Sequence, residues 1–289
     1  MAIIVSMACG LANRMFQYSY YLYLRHLGYD ARIDYYTSVK LAHERVDWSE
    51  IFPKALYNKA TLNDLIKTGG GDSLFSKARR KYFNSTCNVR YLKAFEAPLP
   101  DKNARSIYLM GVFQNACVVE CVENMVLDTF SFKPFRDERN LSLMREMQSS
   151  NSVAIHVRKG MDYSRSSYYK DTCPVEYYIK AIEYIKNRIN NPKFYVFTDN
   201  VEWVEQNFAS LQYTLVQGNP VTGWGSHYDM QLMSLCHHNI ISNSTYSWWG
   251  AYLNKNKDKI VVLPEVWFNP NSCEMFTSLP VKCKRWVSL

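Results

Sequence analysis

The sequence predicts an α/β protein of two doubly wound domains, residues 1–150 and 151–289, facing a cleft. Three observations carry the prediction. Short β-branched runs alternate with amphipathic segments throughout, and each half opens on such a run, Ala2-Ile-Ile-Val-Ser6 and Val153-Ala-Ile-His156-Val157. Polar and charged residues gather just past the ends of these runs, where open parallel sheets hold their ligands. A chain of 33.8 kDa also has enough apolar material for two moderate cores.

The first strand, about Ala2 to Met7, leads through Gly10 into a helix carrying Met15, Phe16, Tyr20, Tyr23, Leu24 and Leu27 at helical spacing, and Gly28 stops it. Asn13 and Arg14 fall at or near the start of that helix, where unpaired N–H groups favour anions. Ala31 to Tyr35 reads as a second strand, parallel to the first. From Lys40 to Pro100 the pattern is irregular. Gly69-Gly70-Gly71-Asp72 marks a loop expected to be mobile; without a following Lys-Ser/Thr it lacks the phosphate-loop signature. Ser106 to Met110 reads as a strand ending at Gly111, Ala116 to Phe130 as a helix, and Asp137 to Ser150 as a polar helix connecting the halves.

In the second half the His156 strand opens into Arg158-Lys159-Gly160-Met161-Asp162. Pro174 starts a helix carrying Tyr177, Tyr178, Ala181, Ile182 and Ile185. Lys193 to Thr198 is a strand with Asp199 beyond its far end, followed by a short helix from Val201 to Phe208. Further elements are expected at Tyr213 to Gln217 (strand), Asp229 to His237 (helix), Ile240-Ile241 (strand), Thr245 to Asn254 (helix) and Lys259 to Leu263 (strand). Trp203, Trp224 and Trp267 gain no role from position alone.

The formal net charge of +8 points to an anionic partner without choosing among nucleotide, nucleic acid and membrane surface. Lys77-Ala-Arg79-Arg80-Lys81 is the one compact basic cluster, too little to track a nucleic-acid backbone. It reads either as a solvated face or as a contact with anionic lipid head groups. The 15% aromatic content supplies faces of the kind that lie against sugars and bases, besides filling cores. The 8 cysteines show no framework spacing and no Cys-x-x-Cys, which fits free, mostly buried thiols in a reducing compartment. The opening strand is too short for a secretory core and no run approaches a membrane span, so the expectation is a cytoplasmic protein, peripheral to the membrane at most.

Two stretches carry chemistry. His156, Arg158 and Lys159 at a strand end suit an anionic ligand, although a lone basic pair is as readily a solvated strand end. Asn243-Ser244-Thr245-Tyr246-Ser247-Trp248-Trp249 places a hydroxyl-rich loop before a helix, so that side-chain donors and helix N–H groups can converge on one phosphate. Capping alone requires one such residue, not several in a row. Asp229 adds a carboxylate able to accept from both N1–H and N2–H of a guanine edge, or else is a helix N-terminal acid. No Asp-x-Asp clamp, Gly-x-Gly-x-x-Gly, Gly-x-Ser-x-Gly or His-Glu-x-x-His is present, and adjacent His237 and His238 make a poor metal pair. A diphosphate leaving group without metal needs fixed cations, and Arg158 is the best candidate.

These residues resemble the bacterial α-1,2-fucosyltransferases of glycosyltransferase family 11. Gly10-Leu-Ala-Asn13-Arg14-Met-Phe-Gln17-Tyr18 is similar to the family's N-terminal motif, His156-Val-Arg158-Lys159 to His-x-Arg-Arg-x-Asp, Phe197-Thr198-Asp199-Asn200 to its Ser-Asp-Asp strand end, and the Asn243 to Trp249 stretch to Asn-Ser-Thr-Phe-Ser-Trp-Trp. The resemblance implies a GT-B fold of two Rossmann-like domains and metal-independent, inverting transfer from GDP-L-fucose to the 2-hydroxyl of a terminal galactose in a surface glycan. By the same analogy Arg158 and Lys159 bind the β-phosphate, His156 and Asp229 the ribose and guanine end, and Asn243, Ser244 and Thr245 the phosphates. Asn13 and Arg14 face the sugar or acceptor, and Asn13 and Asp162 join Arg158 as catalytic candidates. The chain departs from the pattern at Ala12, Arg14 and Lys159, and Met161 stands before Asp162, which leaves the general base unnamed. Another GDP-sugar or linkage on the same scaffold, and a non-catalytic carbohydrate-binding or nucleic-acid-binding module, are the competing readings.

Overall fold

The computed structural model describes residues 1–36, 48–170, 172–223, 225–269 and 280–289, without the side chains of Trp48 and Asp162. Trp224 lies outside the described residues. Two compact units divide the chain, Met1–Lys133 and Pro134–Leu289.

In the first unit β1 (Ala2–Ser6), β2 (Asp30–Asp34), β3 (Val89–Tyr91) and β4 (Ile107–Met110) form a parallel sheet in the order β2-β1-β4-β3. Every residue of β1 is buried, which explains its unbroken apolar run in place of alternation. The helix Leu11–His26 follows β1, and Gly28, at φ +79°, lets the chain turn into β2. The segment expected as one helix from Ala116 to Phe130 breaks at Val122 into Ala116–Cys121 and Glu123–Thr129.

The stretch read as irregular holds the helices Leu62–Thr68 and Leu74–Tyr82 as well as β3. The glycine triplet, expected to form a mobile loop, is buried. Gly69 ends a helix at φ +75°, and a Cβ on Gly70 would sit 2.1 Å from the Tyr108 ring. These glycines are there because an aromatic ring and Cys87 occupy the space a side chain would need. The thiols depart from expectation too: the seven described cysteines are free, but only Cys173, Cys236 and Cys283 are buried.

The second unit is a six-stranded parallel sheet in the order β10-β9-β8-β5-β6-β7. Its strands are β5 (Ser152–Val157), β6 (Lys193–Thr198), β7 (Tyr213–Val216), β8 (His238–Ile240), β9 (Val261–Leu263) and β10 (Val287–Ser288). Alternate residues of β5 face opposite cores. Val153, Ile155 and Val157 pack with the helix Val175–Lys186, whereas Ala154 packs with Leu232, Met233 and Met147. Burial on both faces is the doubly wound arrangement. The helix Glu138–Gln148, expected as a connector, belongs to this second core through Met147. β8 opens at His238, before the expected Ile240, because the helix Tyr228–Leu235 ends short of the expected His237.

The helix Thr245–Tyr252 carries the Trp-Trp pair inward. Trp248 stacks on Tyr252 at 4.9 Å and donates Nε1–H to the Val281 carbonyl at 2.6 Å, tying down the C-terminal segment. Gly250 lets this helix approach the helix Tyr228–Leu235: an added Cβ would lie 2.9 Å from the Met233 Cβ.

Candidate functional site

From β5 the chain proceeds to β6 and β7 on one side, then crosses back to build β8, β9 and β10 on the other. The connections therefore reverse between β5 and β8, and in open parallel sheets such a reversal is where a crevice forms at the strands' carboxyl ends. His156 and Ser242 meet there, with His156 Nδ1 and Ser242 Oγ 2.8 Å apart. Desolvation, reinforced by the charge of Arg158, holds the His156 imidazole down to about 3. The ring is neutral at physiological pH and serves as a hydrogen-bonding group, not as a cation.

Beyond β5 the loop is clamped from β6. Asp199 Oδ1 accepts from the backbone N–H groups of Lys159 at 2.6 Å and Gly160 at 2.9 Å, and Asn200 Nδ2 donates to the Lys159 carbonyl at 3.0 Å. With the backbone held, the two cations separate. The Arg158 guanidinium lies over Tyr169 at 5.6 Å, while the Lys159 ammonium lies over Tyr163 at 5.0 Å and Trp203 at 5.3 Å. Asp162 falls in the short helix Met161–Arg165, and its side chain lies outside the described residues.

Beyond β8, Asn243 is spent inside the protein. Its Nδ2 donates to Thr172 Oγ1 at 2.7 Å and to the Trp267 carbonyl at 3.1 Å, and its Oδ1 accepts from Cys173 Sγ at 3.3 Å. Both ends of the amide expected to meet a phosphate are engaged here in anchoring the loop. Ser244 precedes the helix Thr245–Tyr252 and makes no side-chain cap bond, so no side chain is spent on the first-turn N–H groups as a cap. Thr245 and Tyr246 are partly exposed there. Tyr246 lies 6.2 Å from the His156 ring, donates to the Ser226 carbonyl at 2.6 Å and accepts from the Met230 N–H at 3.0 Å, joining this loop to the start of the preceding helix, Tyr228–Leu235.

Asp229 stands in the first turn of the helix Tyr228–Leu235 and accepts from Asn219 Nδ2 at 2.7 Å. Burial raises its carboxyl above the usual range, against the opposing pull of Asn219 and of Arg139. Asn219 is held in turn by Asn140 and by Arg139. Asp229 is therefore a fixed, partly desolvated acceptor.

In the first unit the connections reverse between β1 and β4. Gln17 bridges their ends, accepting from the Ala8 N–H and donating to the Gly111 carbonyl, both at 2.8 Å. Asn13 is partly exposed and accepts from Gln114 Nε2 at 3.1 Å. Arg14 is buried, and its charge acts on Cys9. Cys9 at φ +72° and Phe113 at φ +51° place left-handed, non-glycine backbone beside both strand ends, a strain typical of ligand sites.

Residues 79–288 match the family model described as glycosyl transferase family 11. The chain belongs to this family. Among relatives, an O-antigen biosynthesis glycosyltransferase of Escherichia coli, WbnK, is 37% identical over 63% of this chain and 60% of its own length. The chain thus aligns with less than two thirds of WbnK. An α-1,2-colitosyltransferase of Escherichia coli is 27% identical over 100% of this chain and 99% of its own. Among solved structures, the NodZ α-1,6-fucosyltransferase soaked with GDP-fucose superposes at a TM-score of 0.50, with 14% identity, 87% of this chain and 92% of that one. That likeness concerns the fold, which is GT-B-like with two Rossmann-like units.

Within this family 11 glycosyltransferase, the sequence pattern pointed to His156 and Arg158 but not to Ser242, Tyr169 or Asn219. Ser242 was detectable as a hydroxyl immediately preceding the Asn-Ser-Thr run; Tyr169 and Asn219 carry no local signal.

Stability should report the neutral His156. The unfolded ring takes up its proton near pH 6.5 and the folded one near 3, so below 6.5 the unfolded state binds more protons. Stability should be full above pH 6.5 and fall as pH drops toward 3. Urea midpoints measured from about pH 7 to about pH 4 should decline less steeply in His156→Gln than in the wild type; parallel slopes would contradict the assignment.

Proposed function

We propose that the protein is an inverting galactoside α-1,2-fucosyltransferase that uses GDP-β-L-fucose and needs no metal, acting in surface-glycan synthesis such as that of an O-antigen. The observation that carries this reading is the β5/β8 crevice, where neutral His156, paired with Ser242, stands beside Arg158 and before an uncapped helix. Fixed donors of this kind suit a departing nucleoside diphosphate.

In this reading the acceptor 2-hydroxyl attacks the anomeric carbon of fucose from the face opposite GDP. The bond from that carbon to the β-phosphate oxygen breaks, its electron pair leaves with GDP, and the hydroxyl proton passes to a base. Attack from the opposite face converts the β-linked donor into an α-linked product. Arg158 neutralises the charge growing on the β-phosphate, and Ser244, Thr245 and the helix N–H groups receive the remaining phosphate oxygens. Asp229, held by Asn219, accepts from the guanine edge, and His156 contacts the ribose. Lys159 adds field strength from its aromatic cage. Asn13, steadied by Gln114, serves the sugar or acceptor side together with Arg14, and Asp162 stays a candidate base.

The full-length match to a colitosyltransferase supports a second reading, in which the donor is GDP-colitose and the α-1,2 linkage is retained. The two separate in one experiment. Purified protein is supplied with GDP-fucose or GDP-colitose and a panel of β-galactosides, with and without EDTA, and products are analysed by methylation. The expected result is fucose transfer insensitive to EDTA, giving 2-substituted galactose. Preference for colitose selects the second reading, and loss of activity with EDTA removes the metal-free mechanism.

A further inference from the structure

The helix Leu74–Tyr82 buries none of its residues. A nine-residue helix is marginal alone and is ordinarily stabilised by packing an apolar face. This one has such a face and leaves it outside. Leu74, Phe75 and Tyr82 are 86%, 68% and 68% exposed, and Phe83, just past the helix end, is 64% exposed. Leu74, Ala78 and Tyr82 share one side at four-residue spacing, with Phe75 next to them. Phe75, Ala78, Tyr82 and Phe83 line an apolar groove of about 290 Å³.

The helix is held by its own cations, which turn that face outward. Arg80 donates to the carbonyls of Gly69 at 2.7 Å and Gly71 at 2.9 Å, and Arg79 to those of Thr86 and Ile66. Ser73 caps the first turn, accepting from the Ser76 N–H at 3.0 Å. Lys77 and Lys81, four residues apart, form one row along an edge of the apolar side; Lys77 pairs with Asp72 at 2.8 Å, and Lys81 lies over Tyr82 at 5.3 Å. Aromatic side chains beside a row of lysines on a fixed amphipathic helix match the boundary of an anionic bilayer, where rings enter the head-group layer and ammonium groups meet phosphates.

We propose that the helix Leu74–Tyr82 and Phe83 form an interfacial anchor that docks this unit on an anionic lipid surface. The charge complementarity of the Lys77 and Lys81 row favours a lipid occupant over a second copy of the chain, whose net charge of +8 would repel it. The inference is independent of the donor reading. Among the described residues no helix is long and apolar enough to cross a membrane, and the anchor requires none.

The test is co-sedimentation of the full chain with phosphatidylglycerol-containing vesicles and with pure phosphatidylcholine vesicles, at low and high salt. Two variants accompany the wild type: Phe75→Ser/Tyr82→Ser/Phe83→Ser and Lys77→Glu/Lys81→Glu. The wild type should bind the anionic vesicles preferentially and weaken with salt, and each variant should bind at least about tenfold more weakly. Far-UV circular dichroism and transfer to a soluble acceptor should be unchanged in both, which separates loss of docking from loss of fold. Equal binding to neutral vesicles, or variants that bind like the wild type, would overturn the proposal. So would a wild-type dimer by light scattering that the apolar variant dissolves while vesicles stay unbound, since the face would then be a contact between copies.

Discussion

Arg158→Ala should lower turnover with GDP-fucose by about two to three orders of magnitude, ~2.7–4 kcal/mol of transition-state stabilisation, while the protein stays folded. The β5 loop is fixed by Asp199 and Asn200 through backbone bonds to residues 159 and 160, so truncating Arg158 leaves its scaffold in place. The contact of the guanidinium with the Tyr169 ring is a small loss by comparison. Arg158→Lys should recover part of the rate, because charge survives and the bidentate fork does not. Steady-state kinetics with both variants, read beside circular dichroism, provide the check. Turnover close to wild type in Arg158→Ala would remove the donor-phosphate assignment.

Trp248→Ala should cost about 3–5 kcal/mol of stability in the second unit. The ring is fully buried, stacks on Tyr252, packs on Trp286 and donates to the Val281 carbonyl. Its loss opens a cavity under the helix that carries Ser244 and Thr245 and leaves a buried carbonyl unpaired. Urea unfolding reports the change directly, and GDP binding at low temperature shows whether the remaining folded protein keeps its site. A loss below about 1 kcal/mol would mean that the ring does not tie the C-terminal segment to the core. Together the two variants separate the proposed chemistry of Arg158 from the architecture supplied by the Trp-Trp pair, which ties the helix Thr245–Tyr252 to the core.

Much of the second unit was legible because its strands are buried on both faces. Ser152 to Val157 and Lys193 to Thr198 read as short apolar runs for the same reason that alternate residues reach two cores. The first unit was less legible between Lys40 and Pro100. Leu62–Thr68 and Leu74–Tyr82 are short, and the second fully buries no residue, so neither imposes a long apolar period. The glycine triplet misled for a related reason. Glycine reads as freedom in a sequence, yet Tyr108, nearly forty positions later in the chain, fills the space above Gly70.

By itself the sequence determined the α/β class, the strand ends where polar and charged residues gather, and the residue types beyond β5 and β8, since these follow from local periodicity and the chemistry of neighbouring side chains. Only the tertiary structure decided which strand lies beside β5. Pairing with β8 places Ser242 against His156, and the clamp from β6 sends Arg158 and Lys159 to different aromatic partners. It also decided that Asn243 turns inward while Ser244 and Thr245 lead the helix. The physical reason is common to all of these. Strand order and side-chain direction are set by contacts between residues tens of positions apart, whose energies lie in packing and buried hydrogen bonds and leave little trace in local propensity.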